Sequence, residues 1–146
     1  MHHIVRAVIS SLWLMAVILL GSCGNGLPHS SEVALMVTPA EATVATGGTI
    51  SLNGDATGFT RSPIVRWWIE EAHDAGGDDC GYFEPPPTSP CKYGYVTFVS
   101  VTQFPSSATY YAPSQPGTYH VTFQATQSSE FDYLQKTAAS TITVTP

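Results

Sequence analysis

The chain has 146 residues, 5 Lys+Arg against 11 Asp+Glu for a formal net charge of −6, and 43% hydrophobic but only 11% charged residues. So few cations argue against nucleic acid, whose binding runs on Lys and Arg contacts to phosphate, and against electrostatic attraction to an anionic membrane. The length suits one folded domain with its own core.

Met1 to Arg6 holds one arginine and two histidines, and an uncharged apolar run from Ala7 to Leu20 follows and stops at Gly21-Ser22-Cys23. A membrane-spanning helix needs about 20 apolar residues, so this run is too short to span and has the layout of a signal peptide. The segment Leu20-Gly21-Ser22-Cys23 resembles the lipobox of bacterial lipoproteins. That resemblance implies a signal peptide over 1–22, lipidation of Cys23, and a cell-envelope location. Gly24 stands where many Gram-negative lipoproteins carry the aspartate that marks inner-membrane retention, so the outer membrane is implied if the host is Gram-negative. Loss of 1–22 removes Arg6, so Lys+Arg falls from 5 to 4 while Asp+Glu stays at 11, a net charge of −7. Attachment must then come from lipid, at about 0.8 kcal/mol per buried methylene.

Residues 23–31 form the lipidated N-terminus and a short tether, Gly-Asn-Gly-Leu-Pro-His-Ser-Ser after the cysteine. The folded domain is expected over 32–146. Val33, Leu35 and Val37 alternate with Ala34, Met36 and Thr38 up to Pro39, which reads as an edge strand. Thr43 to Thr46 continues it on the other sheet, and Thr49 to Gly54 supplies the next strand with Ile50 and Leu52 inward. In Ile64 to Glu70, Val65, Trp67 and Ile69 share one side, while Arg66, Trp68 and Glu70 share the other. Trp67 is the expected core residue and Trp68 a surface aromatic.

From Glu71 to Lys92 the chain is rich in Gly, Pro and acid and shows no period of 2 or 3.6, so a long inserted loop is expected. Cys80 and Cys91 lie within it. With Cys23 assigned to lipid, they form an even pair in an oxidising compartment, and a disulfide between them is expected. Asp74, Asp78 and Asp79 are the carboxylates that could attract calcium, which takes six to eight oxygens. The spacing D-x-x-x-D-D matches no EF-hand loop, and charged Gly-rich loops are ordinarily just solvated. No metal and no cofactor are therefore expected. Glu70 and Glu71 should sit on opposite sides of a strand and so not converge as paired catalytic acids.

Tyr93 to Val101 reads as a strand of undetermined register. Ala108 to Val121 reads as strand, Pro/Gly corner and strand, with Tyr110 and Ala112 on one side and then Tyr119, Val121, Phe123 and Ala125 inward. A long polar loop over 127–136, carrying Phe131, Tyr133 and Leu134, should lead to a last strand over 140–145. The string A-T-Y-x-A-P-x-x-P-G-T-Y-x-V at 108–121, the V-x-W at Val65 and Trp67, and Val37, Pro39, Val44, Gly47 and Leu52 near the start resemble bacterial immunoglobulin-like domains of the group 2 type. The likeness covers about four-fifths of the mature chain. It implies an all-β, immunoglobulin-like sandwich of about seven antiparallel strands.

No G-x-S-x-G, H-E-x-x-H or phosphate-cradling glycine loop is present, and His29, His73 and His120 fall in no catalytic pattern. An enzyme is not expected. Two functions from different classes remain. In one, the domain is a non-catalytic protein- or glycan-binding module that presents Trp68, Tyr82, Phe83, Phe131 and Tyr133 to an envelope partner. In the other, it is a structural spacer with no ligand of its own. Gathering of those aromatics into one patch would favour the first.

Overall fold

The computed structural model describes residues 32–75, 91–102, 104–130 and 132–146. These form β1 (Ala34–Thr38), β2 (Glu41–Ala45), β3 (Thr49–Thr57), β4 (Ile64–Ile69), helix α1 (Glu70–Asp74), β5 (Tyr95–Phe98), β6 (Ser106–Tyr111), β7 (Gly117–Ser128) and β8 (Tyr133–Thr145). Two four-stranded sheets result, ordered β1-β3-β6-β5 and β2-β8-β7-β4. Every pairing is antiparallel except that of β2 with β8. This is the strand order of an immunoglobulin-like sandwich, with β1, β3, β6 and β5 in the places of strands A, B, E and D and β4, β7 and β8 in those of C, F and G.

The described residues hold eight strands because the first one divides. A cis Thr38–Pro39 bond lies where the chain leaves one sheet for the other. Ser140 Oγ donates to Pro39 O at 2.8 Å and Thr141 N donates to Ala40 O at 2.9 Å, which docks the crossing segment onto β8.

The core follows the alternation of apolar residues. Leu52, Val65, Trp67, Tyr110, Val121, Phe123 and Ile142 are all buried. Trp67 lies 4.7 Å from Phe123, ring centre to ring centre, and its indole Nε1 donates to Ser106 Oγ at 2.9 Å. A Cβ on Gly54 would come within 2.7 Å of the Phe123 ring, so the ring rests against bare backbone. Neither β3 nor β7 contains a cysteine. Ring packing therefore stands in place of the disulfide that joins these strands in antibody domains. At the start of β7, Tyr119 Oη donates to Gln115 O at 2.9 Å, four residues back. This is the tyrosine corner of the fold, and it pins the turn that Pro116 and Gly117 open.

Three segments depart from the expectations. Residues 127–136 are not a long loop: Gln127 pairs with Leu134 and Ser128 with Tyr133, so both strands extend, and Ser129 N donates to Asp132 O at 2.9 Å just beyond them. The polar composition conceals a strand whose inward positions include Gln127 itself, whose Nε2 donates to Thr60 Oγ1 at 2.7 Å. Of the stretch 93–101, only Tyr95–Phe98 joins the sheet. Gly94, at φ +83°, turns the chain in, and beyond Phe98 the backbone peels away until Val101 O accepts from Val65 N at 2.7 Å on the outer edge of β4.

The segment after Ile69 opens as a helical turn. Glu70 and Glu71 occupy its first turn, where carboxylates oppose the exposed N–H groups favourably, rather than opposite sides of a strand. Its consequence is local. Pairing of β4 with β7 ends at Ile69 and Val121, so His120 N–H has no strand beside it there. Glu71 supplies the acceptor, its two oxygens lying 3.1 and 3.0 Å from His120 N, with Oε1 also 2.6 Å from His120 Nδ1.

Tyr110 Oη donates to Tyr93 O at 2.9 Å. Burial first, then the neighbouring Tyr119 and Glu71, push the Tyr110 phenol well above its ordinary 10.0. Tyr119 is raised by burial and by Glu71, partly offset by Lys92. A raised folded-state value leaves stability intact below the unfolded value and removes it as pH climbs toward the folded one, because only the unfolded chain releases the proton. Stability to urea should therefore fall as pH rises past about 10. Tyr110→Phe should be less stable at neutral pH, through the lost hydrogen bond, yet show a shallower alkaline decline. An alkaline slope equal in both proteins would contradict this assignment.

Candidate functional site

Of the aromatics proposed from sequence, the two described ones, Trp68 and Tyr133, lie apart. Trp68 lies on the outer side of β4, half-buried, across from Thr122, and its ring is 6.1 Å from that of His73. It covers the junction of β4 and α1. Tyr133 is 61% exposed at the far end of the same sheet and its hydroxyl bonds Gln135 Oε1. Their β7 partners, Thr122 and Ser128, are six residues apart, roughly 20 Å along a strand. These two do not share a patch. Tyr82, Phe83 and Phe131 lie outside the described residues, as do Cys23, Cys80, Asp78 and Asp79. Asp74 ends α1, and among the described residues no group of three or more His, Cys, Asp or Glu could hold a metal ion.

A different aromatic pair forms on the opposite sheet. Tyr95 and Tyr111 are direct cross-strand partners on β5 and β6, with ring centres 4.3 Å apart and planes only 9° from parallel. Alternation places both on the outer side, since their neighbours Val96 and Tyr110 are buried inward. Burial, then Tyr111, raises the Tyr95 phenol above its ordinary 10.0.

The register lays polar residues in rows beside this pair. Thr49 lies across from Tyr111, Ser51 from Thr109 and Asn53 from Ser107 on β3 and β6, and Thr97 lies across from Thr109 on β5. Ser107 Oγ donates to Asn53 Oδ1 at 2.9 Å, which leaves the Asn53 amide N–H groups as donors. Ser51, Asn53, Thr97, Val99, Ser107 and Thr109 line an open trough of about 520 Å³. Val99 forms its apolar end and is 84% exposed.

No family model matches this chain. No curated protein matches it either. Among solved structures, it is similar to domain 1 of VCBP3 from Branchiostoma floridae, at 15% identity and a TM-score of 0.46, covering 82% of this chain and 97% of that one. The fold assignment rests on the strand order itself.

Sequence reading passed over Tyr95 and Tyr111 because their meeting depends on a non-local register. The usable signal was the alternation Tyr93, Tyr95, Thr97 against Ser107, Thr109, Tyr111, hydroxyl-bearing at every position.

Proposed function

We propose that this chain is a lipid-anchored, non-catalytic binding module of the bacterial cell envelope, akin to bacterial immunoglobulin-like domains of the group 2 type. The observation that carries the binding reading is the stacked Tyr95–Tyr111 pair beside an uncharged, hydroxyl-lined trough on the outer side of one sheet. A domain that only separates partners needs no such constellation. Rigid aromatic rings flanked by fixed hydrogen-bonding groups are what recognition sites present.

The anchor rests on Leu20-Gly21-Ser22-Cys23 after an apolar run. A Cys80–Cys91 bridge belongs to the same reading: the chain has three cysteines, and Cys91 does not stand as a free thiol. Such a bridge would contribute about 3 kcal/mol in the chain-entropy account. The partner is an envelope protein or glycan, and the outer membrane is the site in a Gram-negative host.

One preparation tests anchor and bridge together. Mass spectrometry of the membrane fraction should find an acylated N-terminal Cys23, and non-reducing peptide maps should link Cys80 to Cys91. Cys23→Ala should leave the membrane fraction. An unmodified, full-length N-terminus would end the lipoprotein reading, and free thiols at 80 and 91 would end the bridge. For binding, the detergent-solubilised protein should retain a specific protein or glycan from envelope extract above a blank matrix. Retention of nothing would favour a spacer.

A further inference from the structure

The outer side of the β3-β6-β5 sheet has the chemistry of a particular class of ligand, and this inference rests on the binding-module reading. We infer that the trough beside Tyr95 and Tyr111 is a subsite for a neutral polysaccharide chain, held by ring stacking on the tyrosine pair and by hydrogen bonds to Thr109, Ser51 and Asn53.

Charge decides against ionic ligands. Ser51, Asn53, Thr97, Val99, Ser107 and Thr109, which line the trough, carry no formal charge. A nucleic acid, an acidic glycan or a basic peptide would leave its charges unpaired over such a surface. Strand addition is excluded by geometry. The trough is the face of a sheet, and the backbone groups of β6 are committed to β3 on one side and β5 on the other. An extended peptide laid in the trough finds no unpaired backbone on β6, and the outer edge of β5, the last strand of its sheet, faces away from it. An amphipathic helix needs a hydrophobic groove, whereas the only exposed large apolar side chain in the trough is Val99.

A polyhydroxylated, uncharged ring polymer fits what remains. Neighbouring positions along one side of a strand repeat at about 6.8 Å, and strands are about 4.8 Å apart, so the hydroxyls form a regular two-dimensional array. Hydroxyls both donate and accept, so they can follow either sense of a sugar hydroxyl. The Asn53 amide adds fixed donors, because Ser107 has taken its oxygen. The tyrosines supply the apolar component. Rings that stack at 4.3 Å stiffen each other, and a platform that is already rigid loses little entropy when the C–H face of a sugar settles on it.

The test uses the detergent-solubilised full-length protein in depletion assays on insoluble neutral polysaccharides, namely cellulose, mannan and a β-1,3-glucan, with heparin-agarose as the charged comparison. The wild type should be depleted by at least one neutral matrix, and about 0.5 M sodium chloride should not release it, since a Debye length of a few ångströms leaves uncharged contacts untouched. Tyr95→Ala and Tyr111→Ala should each weaken depletion about tenfold, as loss of an aromatic anchor does. Thr109→Val keeps the shape and strand preference of the side chain and should weaken it several-fold at an unchanged thermal midpoint. Depletion by no neutral matrix, by heparin alone, or by a neutral matrix but undiminished in the Tyr95→Ala/Tyr111→Ala double variant, would each overturn the inference. Should the protein retain an envelope protein yet no neutral polysaccharide, the binding-module reading stands and this subsite falls; retention of neither removes both.

Discussion

Trp67→Ala is expected to destabilise the domain by about 3–5 kcal/mol, the range for truncating a large buried aromatic. Trp67 is fully buried at the centre of β4, packs on Phe123 and donates to Ser106 Oγ. Truncation opens a cavity between two sheets that cannot close without breaking strand register, and it strands a buried hydroxyl. Typical domains have only about 5–15 kcal/mol in total, so much of the population should unfold in modest urea. Trp68→Ala, one residue along but on the half-buried outer side, should cost far less. Urea melts of both variants decide the matter, and equal midpoints would mean that the inward side of β4 has been assigned wrongly.

Gly94→Ala should be the second costly change. Its φ of +83° lies where a side chain is disfavoured, and a Cβ would sit 2.3 Å from Tyr111 O. Backbone strain alone contributes roughly 1–3 kcal/mol. The collision adds to it, because the obstacle is the backbone of β6 rather than a movable side-chain tip. Gly47 provides the comparison: its φ is +70° but nothing lies within 4 Å of a Cβ there. Gly47→Ala should therefore show the strain without the collision, and its thermal midpoint should fall distinctly less than that of Gly94→Ala. Displacement of β5 should also part Tyr95 from Tyr111. Equal losses in the two variants would contradict the close approach of Gly94 to β6.

Much of the sandwich was legible because its strands alternate. Tyr119, Val121, Phe123 and Ala125 on β7 and Ile142 and Val144 on β8 are all inward and buried. The Pro39 break and the move of residues 43–46 to the other sheet were legible as well. What escaped has physical causes. Helix α1 has five residues and is too short to display a helical period. The β7–β8 hairpin places Gln127 inward at a position that reads as loop; the tertiary partner Thr60 accepts from its Nε2, while its Oε1 is buried without a hydrogen-bond partner among the described residues. The candidate site was the least legible part. Trp68 reads as an outward residue of a strand and Tyr133 as an aromatic of a loop, but a surface patch depends on which strands lie side by side. The pairing of Tyr95 with Tyr111 is set by the register of β5 on β6, which that short strand could not reveal by itself.

Recognition through the outer side of the β3-β6-β5 sheet can be tested without knowing the partner, by hydroxyl-radical footprinting of the protein in intact envelopes and after purification. Tyr95 and Tyr111 should be shielded in the envelope and oxidised readily once purified, while Tyr133, exposed on the other sheet, should be modified equally in both states. Equal oxidation of Tyr95 and Tyr111 in the two states would mean that nothing occupies this surface where the protein resides, and would contradict the account.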